Sequence, residues 1–222
     1  MFKFITYFFY LAFNWNFKIA LHIIREEIKG EKKYGIHTTG ADELKKLEEK
    51  GIDISHATIY MPASYSLLEE VFKQLHASNA QPLIHFLDMG CGKGRVLCVA
   101  AHFGITKVTG IELSKEFCAD AKLNLQITQQ QFPQLEFSVI NNDAFYYEIP
   151  PDADGIFLFN PFDEVIMSSV VNNLLHSLKL HPRKISIVYV NPLHKELFIK
   201  AGFKETYYRK KMKYLEVLIW SN

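Results

Sequence analysis

From residue 83 the chain falls into a repeating pattern that few folds can accommodate. Five apolar runs, "LIHFLDM", "KVTGIEL", "LEFSVINND", "GIFLFNP" and "KISIVYV", are separated by segments with helical spacing, clearest at Arg95–Phe103, Lys115–Gln129 and Glu164–Leu178. The runs are continuously apolar rather than alternating. A strand of that kind is covered on both faces, as in a parallel sheet with helices above and below. Two further β-rich runs, "KETYYRK" and "KYLEVLIWSN", follow with no helix between them, so they pair as an antiparallel hairpin. The expected fold class is α/β: a doubly wound, mostly parallel, Rossmann-like sheet with a C-terminal antiparallel hairpin.

The residues ahead of this pattern read differently. We divide the chain into a helical N-terminal extension or cap, 1–80, and a domain, 81–222. In the extension, "NFKIALHIIREEIKG" is an amphipathic helix with a stop at Gly30, and "EKKYGIHTTGADELKKLEEKGID" is a charged linker over the surface. "SYSLLEEVFKQLH", Ser64–His76, is a second helix with a serine start. The opening "MFKFITYFFYLAF" is apolar for about half of the ~20 residues a bilayer span needs. It is a helix packed on the domain or a partner, or an interfacial helix in which residues 1–24 touch a membrane with Tyr7, Tyr10 and Trp15 at headgroup level, with a true span or a signal as the remaining reading. We expect a cytoplasmic protein, with membrane association through that segment as the variant.

Composition excludes several classes. Apolar residues make up 49% and charged residues 22%, which rules out wholesale disorder. A formal charge of +1 gives no strong nucleic-acid signal. Cys91, Cys98 and Cys118 form no paired motif and the nine histidines no HExxH cluster, so no metal is expected.

In a doubly wound sheet, ligands bind at the carboxyl ends of the strands. "DMGCGKGR" lies at the first such end. Asp88 closes the strand, Gly90 and Gly92 can take positive φ, and Gly94 opens the helix where close packing is needed. A dinucleotide fingerprint would place a third glycine where Arg95 stands, and no GKS or GKT follows for a P-loop. Glu112 ends the second strand, where a carboxylate can accept both ribose hydroxyls of a nucleoside. Asn142 and Asp143 end the third and can accept an adenine amino group, with Phe145 nearby as an apolar cover. Asn160, Pro161 and Phe162 end the fourth.

With these four motifs in order, residues 84–190 resemble the class I S-adenosylmethionine-dependent methyltransferases of small bacterial type. A more distant likeness, in "IYMPASYSLLEEVF" before the glycine loop, is to the non-SET lysine methyltransferases. The resemblance implies an enzyme with S-adenosylmethionine as cofactor. Asp88, Gly90, Cys91 and Gly92 would hold its methionine part, Glu112 and Leu113 the ribose, and Asn142, Asp143 and Ala144 the adenine. Tyr60 and Pro62 would close the pocket, and Asn160, which would also face the sulfonium, would act with Pro161 and Phe162 as the catalytic set. The acceptor expected is an amine nitrogen, on a protein lysine or another amino group. The family's second proline is missing between Pro161 and Phe162, which weakens the transfer of acceptor type.

Simpler readings stand beside these. Asp143 is also good turn chemistry, and Cys91 is a small side chain under the ligand. Lys93 is a solvated loop residue, while Arg95 could pair with the cofactor carboxylate or a neighbouring strand-end acid. The Asn191–Pro192 repeat with His194 is helix-start chemistry, and "YYRKKMKY" a solvated hairpin. The rival function is a non-catalytic S-adenosylmethionine-binding module acting through its N-terminal helix.

Overall fold

The protein is described from a computed structural model covering residues 2–14, 16–40, 61–160, 162–211 and 215–222. Among these residues three helices come first: α1 (Phe2–Asn14), α2 (Phe17–Tyr34) and α3 (Tyr65–Ser78). The alternating region then runs β1 (His85–Met89), α4 (Arg95–His102), β2 (Lys107–Glu112), α5 (Lys115–Gln131), β3 (Glu136–Asn141) and a 3-10 turn at Ala144–Tyr146. It continues with β4 (Gly155–Phe159), α6 (Glu164–Leu180), β5 (Ser186–Val190), α7 (Lys195–Lys200), β6 (Lys204–Lys211) and β7 (Leu215–Ser221).

These seven strands form one sheet in the order β3-β2-β1-β4-β5-β7-β6. Strands β1 to β5 are parallel, and β7 runs antiparallel to both β5 and β6. Every residue of β1 and of β5 is buried, which is why those runs read as apolar without alternation. Their side chains divide between two cores. Phe86 joins Phe72, Leu75, Leu97 and Leu125 under α3, α4 and α5. Leu87 and Met89 join Met167, Val170, Leu174 and Phe198 under α6 and α7.

The N-terminal helices depart from the sequence expectation in two places. Gly30 does not stop α2, which continues to Tyr34 and ends at Gly35 with φ 68°. Instead Gly30 lies beneath the Tyr65 ring, where an added Cβ would come within 2.0 Å of a ring carbon. A glycine costs a helix interior about 1 kcal/mol relative to alanine, and here the missing side chain is what lets α3 close on α2. The second departure follows from it. Residues 31–40 are no surface linker, because Glu31, Tyr34, Ile36, Thr38 and Thr39 are all buried. The remainder of that stretch, 41–53, lies outside the described residues.

Helix α1 packs back on α2 through Tyr7 and Leu11 against Ala20 and Ile24. Tyr7 therefore faces inward, with Tyr10 stacked beside it at 6.3 Å, and the expectation of Tyr7 at headgroup level is corrected. Trp15 lies outside the described residues. No described helix is long and apolar enough to cross a membrane.

Candidate functional site

Strands β1 and β4 are neighbours at the centre of the sheet, and the order of connection reverses there. The chain leaves β1 through the glycine loop, where Gly90, Gly92 and Gly94 all have positive φ, at 88°, 50° and 78°. Three left-handed residues in five are tolerable only as glycine. Two backbone bonds fix the loop's start, from the Gly90 and Cys91 N–H groups to the Ile111 carbonyl at 2.9 and 3.0 Å. At its end an added Cβ on Gly94 would meet Ala121 Cβ at 3.1 Å, so α4 and α5 pack closely. The Cys91 side chain points away from the loop's open side and lies over Gly110. Burial pushes its thiol well above the usual range, so it is no nucleophile.

Two acids stand beside this backbone. Asp88 is buried, and no hydrogen-bond donor reaches its carboxyl among the described residues. Burial, and secondarily the charge of Glu112, hold it well above the usual carboxylate range. Glu112 accepts from the Gly92 N–H at 2.9 Å and from the Ser114 N–H at 2.8 Å, one on each oxygen. Burial also raises Glu112, and those N–H groups oppose the rise.

The two cations nearest in sequence face elsewhere. Lys93 Nζ is 3.4 Å from Asp120 and 5.5 Å from the centre of the Phe117 ring, on α5. Arg95 is buried, and among the described residues it bonds neither Asp88 nor Glu112. Its guanidinium donates to Glu27 Oε1 at 2.8 Å and Oε2 at 2.5 Å, to Thr38 Oγ1 at 2.7 Å and to the Ala63 carbonyl at 2.9 Å. With Asp88 buried, Glu112 half-buried and the nearest cations turned away, this end of the sheet disfavours a pyrophosphate and suits a ligand carrying positive charge or hydroxyl donors.

The other predicted residues gather at the same end of the sheet. Asn141 on β3 donates to the carbonyls of Glu112 and Leu113, at 3.0 and 2.7 Å, binding the β2 and β3 ends together. Leu113 is half-buried and Ala144 buried. Asp143 spends one oxygen on the Phe145 N–H at 2.9 Å, so its turn chemistry is present whatever else it does. Asn142 accepts from the Asp143 N–H at 2.9 Å.

Asn160, just past β4, has φ 38°, a left-handed conformation uncommon outside glycine. Phe162 is half-buried against the α6 core, and Pro62 is half-buried beside Ala63. Pro161 and Tyr60 lie outside the described residues. Asn191 repeats the left-handed backbone after β5, at φ 49°, but it is tied to Glu216 of β7 by an N–H in each direction. That makes Asn191 a structural residue.

This sheet order and loop agree with what the chain is similar to. Residues 86–181 match a family model described as a methyltransferase domain. That stretch is a methyltransferase domain. With the strand order, it is a domain of the class I, S-adenosylmethionine-dependent kind. Among solved structures it is similar to magnesium protoporphyrin IX methyltransferase from Synechocystis with bound SAM, at 15% identity, over 71% of this chain and 78% of that one, with a TM-score of 0.51. A Haemophilus influenzae protein provisionally assigned as a methylase aligns at 20% identity, over 71% of this chain and 96% of that one, with a TM-score of 0.54. The methyltransferase domain of a bacterial Hen1 aligns at 14% identity, over 70% and 97%, with a TM-score of 0.55. These likenesses establish the shared fold. No curated protein sequence matches the chain.

Sequence reasoning about the methyltransferase missed the residues that brace its glycine loop from below. Besides Glu27 and Thr38 there is Asn124 of α5, which donates to the Lys93 carbonyl at 2.9 Å and exchanges bonds with the His37 backbone. Tyr65 lies under the Arg95 guanidinium at 4.1 Å. The signal was Arg95 itself, a large cation in the first turn of a helix that otherwise packs tightly.

Proposed function

We propose that the enzyme transfers a methyl group from S-adenosylmethionine to an amine nitrogen, on a protein lysine or another amino group. When bound, the cofactor supplies a methyl group activated by a sulfonium. The chain's residues suit it. Asp88 offers a buried carboxylate that no donor reaches among the described residues and that can take an ammonium, and Glu112 keeps acceptor capacity on both oxygens for hydroxyls. Asn142, Asp143 and Ala144, with Leu113, form the wall expected against the base. The observation that carries the reading is the acidic pair at the β1 and β2 ends, which no cation joins among the described residues, with Lys93 and Arg95 both committed elsewhere. A nicotinamide dinucleotide would bring its pyrophosphate against that charge.

For the acceptor, Asn160 is held at the end of β4, next to β1 in the sheet, in a backbone conformation that extended residues do not adopt. A side-chain carbonyl there can accept from an N–H and aim the nitrogen lone pair, and methyl transfer depends mostly on such positioning. Pro161 and Phe162 complete the proposed catalytic set.

The experiment is a calorimetric titration with S-adenosylmethionine, S-adenosylhomocysteine and NAD, followed by a labelled-methyl assay on protein, RNA and small-molecule fractions. Binding of the first two and not of NAD is expected. Glu112→Ala should weaken it at least about tenfold, the loss of one charge-assisted bond. Asn160→Ala should leave binding intact and lower turnover on amine acceptors. Labelling confined to RNA or to a hydroxyl product would overturn the amine assignment while leaving the cofactor reading in place.

A further inference from the structure

The two N-terminal helices present a surface that neither the fold nor the methyltransferase site uses. On α1 the face opposite Tyr7 and Leu11 carries Ile5, Phe9 and Phe13, four residues apart. Phe9 is 65% and Phe13 92% exposed. Phe17, at the start of α2, adds a ring at 66% exposure, and Ile28 lies one residue past Glu27 and is also exposed. Scattered apolar residues are normal on a surface, but a continuous row of large ones on one hairpin marks a contact site.

The outer face of α2 says what kind of contact. Lys18, Arg25, Lys29 and Lys32 are all exposed, at successive spacings of seven, four and three, which puts them on one stripe. None makes an ion pair within the described residues. The helix's acids point the other way. Glu27 is held by Arg95 and Thr39, Glu31 by the Thr38 and Thr39 N–H groups, and Glu26 by the Ser66 N–H. The hairpin thus segregates its charge, with cations outward and carboxylates committed inward.

We propose that the α1–α2 hairpin docks the enzyme in the plane of an anionic lipid surface. The rings of Phe9, Phe13 and Phe17 enter the headgroup boundary, and the α2 cations meet lipid phosphates. Charge complementarity selects this occupant. An apolar groove on a protein partner would bury the phenylalanines but would leave without a reason four cations that make no ion pair among the described residues. A lipid interface uses both, because apolar insertion and anionic attraction each contribute to the same binding. Neither helix qualifies as a span, so the contact is peripheral. The participating residues differ from the tyrosines that composition alone suggested, since Tyr7 is turned into the hairpin.

The test is co-sedimentation of the full chain with vesicles of phosphatidylcholine alone and of phosphatidylcholine with phosphatidylglycerol, at low and high salt. Binding is expected only to the anionic vesicles, and it should weaken with salt. Phe9→Glu with Phe13→Glu, and separately Lys29→Glu with Lys32→Glu, should each lower partitioning about tenfold or more. These positions are exposed, so circular dichroism and the thermal midpoint should stay at their wild-type values. Absence of binding to anionic vesicles overturns the proposal, as does binding that both double variants retain. A lipid-free dimer that Phe9→Glu with Phe13→Glu dissociates, with no vesicle binding, would assign the face to a second copy of the chain instead.

Discussion

Asp88 sits where a carboxylate is costly to keep ionised: buried at the end of β1, facing Glu112, with no donor among the described residues. Its pKa is raised in the folded state, so its contribution favours the fold at low pH and is lost as pH rises through the raised value. Glu112 is shifted the same way by burial and adds to that slope. A bound ammonium reverses the preference, because it stabilises the ionised form. Measured against Asp88→Asn, the thermal midpoint of the cofactor-free wild type is therefore expected to fall as pH rises from acid toward neutral, while S-adenosylmethionine affinity improves over the same range. Asp88→Asn should not lower stability at neutral pH. It should also weaken cofactor binding on the order of 10- to 100-fold, the worth of one charge-assisted bond. Melting and calorimetry across a pH series check both. A difference between wild type and variant that does not change with pH, or unchanged affinity in the variant, would remove Asp88 from the role.

Helix α2 shows how a residue's meaning can depend on an element far away in the chain. Gly30 reads as a helix stop because glycine usually is one near a helix end. Its actual reason is the Tyr65 ring, 35 positions later, lying where a Cβ would be. That ring is itself held, stacked on Tyr34 at 5.4 Å and bonded through its hydroxyl to Thr38 at 3.0 Å, so it cannot move aside freely. Gly30→Ala is therefore expected to destabilise by about 1–3 kcal/mol, as overpacking does, even though alanine is the better helix former; urea unfolding measures it, and a gain in stability would mean that α3 can shift. The same distance explains what was legible in the sequence. Strands β1, β2, β4 and β5 were readable because burial on both faces leaves a local trace in each run, whereas β3, at the sheet edge, buries only Val139. The glycine loop, Glu112 and the Asn142–Asp143 pair were readable because each closes its own strand. Glu27, Thr38 and Asn124 were not, since their functions lie in Arg95 and the Lys93 carbonyl, contacts that no local period records.

At the scale of the whole molecule, the first forty residues hold two different relations to the sheet. Helix α2 is joined to it through the buried Glu27–Arg95 pair, whose arginine opens α4 directly after the glycine loop. Helix α1 packs chiefly on α2. Its nearest approach to the pair is Tyr7, whose hydroxyl is pushed up to about 12, by burial first and then by the Glu27 charge. Removing one partner of a buried ion pair typically costs about 3–5 kcal/mol, because the survivor stays desolvated. Glu27→Gln should thus lower the global unfolding midpoint, not merely loosen the N-terminus, and should weaken the cofactor site that Arg95 braces from below. Hydrogen exchange on the wild-type protein separates the two relations without any substitution. Amides of α2 between Ile24 and Tyr34 are expected to exchange only through global unfolding, at the free energy that governs β1 and β4, and those of α1 through a smaller opening. If α2 exchanged as readily as α1 while the sheet stayed protected, the Glu27–Arg95 pair would not be holding the extension to the catalytic domain. The N-terminal helices would then be a separable appendage.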